Sequence, residues 1–261
     1  MANLRFCAYQ YQHLPLEELR DRWRVVEDLG FDVLWNCDTV VEPDRRLHTM
    51  FDGPATLTMM AEATSRIRVG TLVTSLYFRH PVTLTKAAMT VDHLSGGRVE
   101  VALGVGDPSA GARAAGVDWS AGERVSRFRE FVELVDLLLR HEVTDYDGRF
   151  YRCEGAETIP LPVQRPRPPL TIAAHGPKML RIAAEIRPYV ELMGWLRRRD
   201  RGGLLRPSPL NAVIASTTCA LMPGAIRAPF GIRWSSFPPL TPWQVGGVLP
   251  RHGLTIRRDR Y

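Results

Sequence analysis

Short apolar runs alternate with amphipathic stretches over most of this 261-residue chain, and this alternation constrains the fold more than any other feature. The apolar runs, each of strand length, occupy residues 4–9, 31–36, 67–74, 99–106 and 170–174. Between them apolar side chains recur at helical spacing, in strand–helix units of roughly 30 residues. This pattern is typical of a parallel sheet with crossover helices. A closed barrel of eight strands and an open doubly wound sheet both fit it, although no GxGxxG motif follows the first strand.

Residues that start and stop helices predict where these elements begin and end. The predicted helices span residues 16–30, 54–63, 81–94 and 120–139, with a short fifth helix at 179–186. Pro81 fits the first turn of a helix, and Ser120-x-x-Glu123 has the spacing of a capping box. The polar, turn-rich segment 146–169 is predicted to form an excursion before the fifth strand.

Glycines stand at both ends of the fourth strand. Ser95-Gly96-Gly97 precedes the strand and is predicted to form only a turn, because glycine tolerates a left-handed backbone. Gly104 and Gly106 lie at its exit. Ligands of α/β folds bind beyond the carboxyl ends of the strands, so a flat or anionic ligand is expected over these two glycines.

Composition narrows the class of protein. No run of about 18 apolar residues predicts a transmembrane helix, and the N-terminus lacks the basic-then-apolar order of a signal peptide. We therefore expect a cytoplasmic protein without a membrane partner. The four cysteines form no CxxC pair, and the histidines show no metal-ligand spacing, so neither a disulfide framework nor a metal site is predicted.

The last third of the chain breaks the pattern. Residues 1–186 carry 22 Lys and Arg against 25 Asp and Glu, whereas residues 187–261 carry 12 Arg and three acidic residues. Nine prolines in the tail exclude long helices there. Because the charge is not set in a recognisable nucleic-acid-binding fold, no nucleic-acid partner is expected. The abrupt change predicts a domain boundary at 186/187, with an Arg/Pro/Gly-rich tail produced by a change of reading frame; a divergent loop-rich extension is the alternative.

Three stretches together resemble the bacterial luciferase-like superfamily of flavin- and deazaflavin-dependent oxidoreductases. They are GTLVTSLYFRHPVTLTKAAMTVDHLSGGRVEVALGVG (70–106), WSAGERVSRFREFVELVDLLL (119–139) and PPLTIAAHGPKMLRIAA (168–184). The resemblance implies a TIM-type (β/α)8 barrel, with residues 1–186 as its first five βα units and regular strands not expected in the atypical last third. It also implies a cofactor, coenzyme F420 or alternatively FMN. The 70–106 block, with Phe31-x-x-x-Trp35-x-x-Asp38, is more similar to the members that use F420.

The resemblance assigns roles to residues at the strand exits. Asp38, after the second strand, would lie at the polar edge of the tricyclic ring. Many F420-dependent relatives have a proton-shuttling histidine next, where this chain has Thr39, and a hydroxyl is no general acid or base near neutral pH. Thr74 and Ser75 would carry a non-proline cis peptide against one ring face. Gly104 and Gly106 would leave room for the cofactor.

A fourth cluster, His175-Gly176-Pro177-Lys178, opens the fifth predicted helix. Free backbone N–H groups and the helix dipole favour an anion there, and Lys178 adds positive charge. The resemblance implies that this site holds the cofactor phosphate. Most relatives have paired glycines where this chain has Ala174-His175, so His175 either contacts the phosphate or caps the helix.

The function implied by the resemblance is hydride transfer between F420 and a small organic substrate, with Asp38 and Thr39 as the catalytic candidates. An FMN-dependent monooxygenase that incorporates molecular oxygen is the alternative within the enzyme class. A catalytically defective flavin-fold protein is the other, because Thr39 replaces the histidine. A homo-oligomer is compatible with either function.

Overall fold

A computed structural model describes residues 7–40, 50–106, 112–113, 115–173, 179 and 182, together with the backbone of two short strands at 190–193 and 244–245. The helices are α1 (Leu16–Asp28), α2 (Gly53–Ala63), α3 (Pro81–Leu94) and α4 (Ala121–Arg140). The strands are β1 (Cys7–Tyr9), β2 (Val33–Asn36), β3 (Arg68–Ser75), β4 (Val99–Gly104), β5 (Val143–Asp147), β6 (Arg152–Glu157), β7 (Leu170–Ala173), β8 (Val190–Met193) and β9 (Gln244–Val245). The predicted first four helices and first five strands of the sheet are confirmed to within a few residues.

Strand order distinguishes the two architectures that the sequence pattern left open. The main sheet runs β8-β7-β4-β3-β2-β1-β9, and all neighbours are parallel except β9, which is antiparallel to β1. The six parallel strands follow one another in chain order without the reversal that defines a doubly wound sheet. This is the order of consecutive strands in a (β/α)8 barrel.

The two faces of the sheet carry different cores. Side chains such as Leu34, Val69 and Leu103 pack against the four helices in a large apolar layer. The opposite face holds a smaller cluster that no described helix joins: Cys7, Val33, Trp35, Leu72, Ala102 and Ala173, with Tyr9 and Val73 beside it. All described helices therefore cover one face, and the smaller cluster lies on the barrel's interior side.

Arg98 explains the turn motif before β4. Gly96 and Gly97 both have positive φ, as the predicted turn requires. All five N–H groups of the Arg98 guanidinium donate to acceptors at 2.7–3.0 Å: Ser95 O, Ile67 O, Ala61 O, Thr64 O and Thr64 Oγ1. Arg98 thereby satisfies carbonyls at the C-terminal end of α2. The motif lies at the amino ends of the strands, away from the mouth of the barrel, and its role is structural.

Two parts of the chain differ from the prediction. The polar segment after α4 contains an antiparallel hairpin of β5 and β6, which lies mostly exposed and so lacks a strand's apolar alternation. Its turn is held by Glu130 on α4, whose carboxylate accepts from the backbone N–H groups of residues 149–151. The second difference is β8, a strand in the last third, where regular strands were not expected; it pairs in parallel with β7. The domain boundary at 186/187 stays a prediction.

Candidate functional site

An ion-pair cluster occupies the carboxyl ends of β2 and β3. Asp38 follows β2, Asp52 is the N-cap of α2, and Arg79 lies in the loop between β3 and α3. Arg79 forms a two-pronged pair with Asp38, through Nε to Oδ2 at 3.0 Å and Nη2 to Oδ1 at 2.8 Å. The same Nη2 also donates to Asp52 Oδ2. One guanidinium therefore joins two carboxylates from different elements at the barrel mouth.

Burial decides the electrostatics of this cluster. Asp38 is 6% exposed, whereas the Arg79 side chain is 26% exposed and that of Asp52 is 47% exposed. Burial raises the pKa of Asp38, and the hydrogen bonds and positive charge of Arg79 oppose that shift. The hydrogen bonds that Arg79 donates to Asp38 are the main reason why the pKa of Arg79 is raised further above its already high value. Arg79 is thus a permanent cation that favours the ionised form of Asp38, against a burial effect that leaves the pKa of Asp38 raised overall.

Buried amide side chains fix the backbone around Asp38. Gln12, in the loop after β1, donates from Nε2 to Cys37 O and Phe51 O, and its Oε1 accepts from Cys37 N. Asn36 donates to Gly53 O and accepts from Thr71 Oγ1, which ties β2 to α2 and β3. These bonds hold the end of β2 between the neighbouring loops, so the position of Asp38 is set by the scaffold.

Three of the predicted cofactor-binding residues lie together at the exits of β3 and β4: Ser75, Gly104 and Gly106. The protein's own packing already explains why the last two are glycines. A Cβ on Gly104 would overlap the Val73 side chain, and one on Gly106 would overlap Ser75 Oγ and the Tyr77 ring. Gly106 also has φ +78°. Close approach of the protein's own side chains therefore requires both glycines, and contact of these residues with a cofactor stays a prediction.

Thr74 faces away from these residues. Its side chain lines a small apolar cavity between the sheet and the helices, with Leu57, Leu84 and Ala88. The non-proline cis peptide lies at Leu72–Val73, so its predicted position at Thr74 and Ser75 was wrong by two residues. The register between β3 and β4 shifts between Thr71 and Thr74, which reverses the alternation of side chains beyond it. The Thr74 side chain therefore lies on the helix side of the sheet.

The remaining predicted residues are only partly covered by the structure. Thr39 is described, half-buried, directly after Asp38. The cluster His175, Gly176, Pro177 and Lys178 lies outside the described residues. The structure thus brings Asp38, Thr39, Ser75, Gly104 and Gly106 to the same end of the sheet, and it leaves the phosphate site untested.

Sequence reasoning missed a second polar group at the mouth. Arg124, in the first turn of α4, donates from Nη1 to Tyr77 Oη at 3.3 Å. Among the described residues, its buried Nε has no hydrogen-bond partner. The Tyr77 ring contacts Trp119, with ring centroids 5.5 Å apart, and the glycine at 106 makes room for it. An under-satisfied guanidinium next to the glycine exit is a candidate to bind an anionic group.

Within the described ranges, no three His, Cys, Asp or Glu side chains are grouped as metal ligands would be. Likewise, no described helix combines the length and the apolar character needed to cross a bilayer. His80 has a structural role, since its ring nitrogen accepts from Val82 N and caps α3.

Proteins of known function share this sequence pattern and fold. The chain is 33% identical over 169 residues to the 5,10-methylenetetrahydromethanopterin reductase of Archaeoglobus fulgidus, covering 65% of this chain and 47% of that protein. It is 33% identical over 194 residues to the F420-dependent glucose-6-phosphate dehydrogenase of Beutenbergia cavernae, covering 71% and 55%. The chain thus spans about half the length of these relatives.

A solved structure gives the same result at the level of the fold. The coenzyme F420-dependent tetrahydromethanopterin reductase of Methanopyrus kandleri superposes with a TM-score of 0.63 at 25% identity, over 74% of this chain and 56% of that one. The sequence profile of the luciferase-like monooxygenase family matches residues 3–197. The predicted family is confirmed: this chain belongs to the luciferase-like monooxygenase family.

Proposed function

We propose that this protein is an F420-dependent oxidoreductase of the luciferase-like family that acts on a small organic substrate. The observation that carries the proposal is the Asp38–Arg79 pair at the barrel mouth, a buried and oriented carboxylate where TIM barrels bind their ligands. The F420-dependent relatives support the choice of cofactor. When bound, the deazaflavin would supply two-electron hydride transfer, while the protein would supply position and electric field.

The described residues fit such a cofactor. The Asp38 carboxylate keeps lone pairs that can accept hydrogen bonds from the polar edge of a ring, even while it is paired with Arg79. The buried, unpartnered Nε of Arg124 fits an anionic part of the ligand. Ser75, Gly104, Gly106 and the backbone of Thr74 would line the ring. His175, Gly176, Pro177 and Lys178 remain the proposed phosphate site.

Thr39 limits the reaction that these residues can support. Its hydroxyl can orient a substrate by hydrogen bonding, but it cannot take up or release a proton as an imidazole does near neutral pH. Asp38 is engaged with Arg79, so it serves better as an acceptor than as an acid. The proposed function therefore excludes any alcohol oxidation that requires a general base at position 39.

An FMN-dependent monooxygenase is the second candidate, and the matching family profile favours it. In that case the reduced flavin would activate molecular oxygen taken from solution. A catalytically defective protein, for which Thr39 argues, would bind cofactor without turnover. Oxygen reactivity of the reduced, bound cofactor separates the two enzymes.

Fluorescence titration of the protein with F420 and with FMN tests the proposal. Asp38→Ala should weaken binding by about 1–3 kcal/mol, roughly 5- to 150-fold, the range for losing a hydrogen bond to a buried polar group. Asp21→Ala is the matched control, because that carboxylate is exposed on α1 and should leave affinity unchanged. The absence of saturable binding of either cofactor to folded wild-type protein would refute the proposal.

A further inference from the structure

The buried environment of Asp38 disfavours its negative charge, and Arg79 compensates for this. Gly53 at the start of α2 packs so closely on Asp38 that a Cβ there would lie 3.1 Å from the Asp38 Cβ. Burying a carboxylate in this way costs free energy unless a cation or hydrogen-bond donors compensate it. Among the described residues, Arg79 and Asp52 are the charged groups that act on Asp38, from the loop before α3 and from the N-cap of α2.

We propose that Arg79 is a positioning residue that keeps Asp38 ionised and fixed at the barrel mouth, with Asp52 as the outer anchor of the guanidinium. This inference rests on the proposed function only for the identity of the ligand. The two-pronged geometry sets the plane of the carboxylate as well as its charge, which a lysine ammonium cannot do. The role of Arg79 is thus to make binding at Asp38 independent of pH in the neutral range.

The outer anchor has a function of its own in this arrangement. Asp52 Oδ1 accepts from Ala55 N at 2.9 Å and so caps α2, while Oδ2 accepts from Arg79. The Nη2 atom of the guanidinium is therefore shared between the carboxylates of Asp38 and Asp52. Asn at position 52 would keep the cap but remove the negative charge, since Asn is as good an N-cap as Asp.

Arg79→Gln removes the positive charge beside Asp38. The direction of the resulting change in stability with pH can be predicted for the cofactor-free protein. Without Arg79, the folded-state pKa of Asp38 would lie well above its unfolded value. The variant's stability would then be highest at acid pH and would fall as pH rises through that raised pKa. Urea midpoints of variant and wild type should therefore diverge as pH rises from about 4, the unfolded pKa of an aspartate, toward neutral. Adding Asp38→Asn to Arg79→Gln should abolish the divergence.

The second test measures F420 binding by fluorescence titration over the same pH range. At each pH the dissociation constant of a variant is divided by that of wild type, so that titration of the cofactor itself cancels. Arg79→Gln should weaken binding about tenfold or more at acid pH and less as Asp38 ionises. Arg79→Lys should recover part of the affinity. Asp52→Asn should weaken binding less than Arg79→Gln and without the added loss at acid pH, because the Asp52 charge itself raises the pKa of Asp38. A loss of stability and affinity in Arg79→Gln that does not vary with pH would overturn the proposal. If wild type binds no F420, the proposed function fails, and the stability arm alone decides the role of Arg79.

Discussion

Arg98→Lys is the substitution whose effect follows most directly from the structure. All five guanidinium N–H groups are used, on Ser95 and on the segment from Ala61 to Ile67. An ammonium has three N–H groups, so at least two acceptors lose their donor even if lysine keeps the charge in place. Hydrogen bonds to charged groups contribute about 1.5–3 kcal/mol each, and partial exposure of Arg98 lets water replace some of this. The expected loss of stability is about 2–4 kcal/mol.

Urea unfolding followed by circular dichroism measures this loss as a change in the free energy of unfolding. Arg24→Lys is the control, because Arg24 forms a 3.4 Å pair with Asp21 on the exposed face of α1. Such surface pairs contribute about 0–1 kcal/mol, so this variant should resemble wild type. If Arg98→Lys destabilises no more than Arg24→Lys, the explanation of the Ser-Gly-Gly-Arg motif as a cap on α2 is wrong.

Three further predictions concern acid stability, phosphate binding and the tail. Burial disfavours the charge of Glu27, but backbone N–H groups of residues 65–67 outweigh this effect and lower the pKa of Glu27, so its stabilisation is present above the unfolded pKa and is lost as pH falls through the lowered one. Glu27→Gln should therefore flatten the loss of urea stability below about pH 5. Arg124→Gln and Lys178→Ala should each weaken FMN more than riboflavin in fluorescence titration, and equal weakening would leave them without a phosphate role. We propose that the change of reading frame lies near codon 187, where the composition changes, although the family match extends to residue 197. Resequencing should reveal a frame that restores strand–helix alternation, and its absence in both other frames would contradict this.

Local signals predicted the elements well because their causes are local. Pro81 begins α3, and the glycines after Ser95 end it, as a φ-restricted and a φ-permissive residue should. At Ser120 the predicted N-cap bond to Glu123 N is present. The Glu123 carboxylate instead pairs with Arg127 at 2.8 Å, a partner one turn along the helix.

The site was less predictable because its contacts join distant parts of the chain. Asp38 was found from its place after β2, yet its partner Arg79 is 41 residues away, and only the parallel pairing of β2 with β3 brings them together. Arg79 lies within the 70–106 stretch that resembles the family, but nothing in that stretch indicated its partner. The side of the sheet that the Thr74 side chain faces depends on the register shift in β3. Nothing in the sequence of this strand indicates that shift.

A crystal structure of the protein grown with F420 tests the central claim most directly. The account predicts the deazaflavin at the carboxyl ends of β2, β3 and β4, with the polar edge of its ring within hydrogen-bond distance of the Asp38 carboxylate. Arg79 should keep both of its contacts to Asp38 in the complex. A cofactor bound at any other place, or a ring whose polar edge points away from Asp38, would contradict the account.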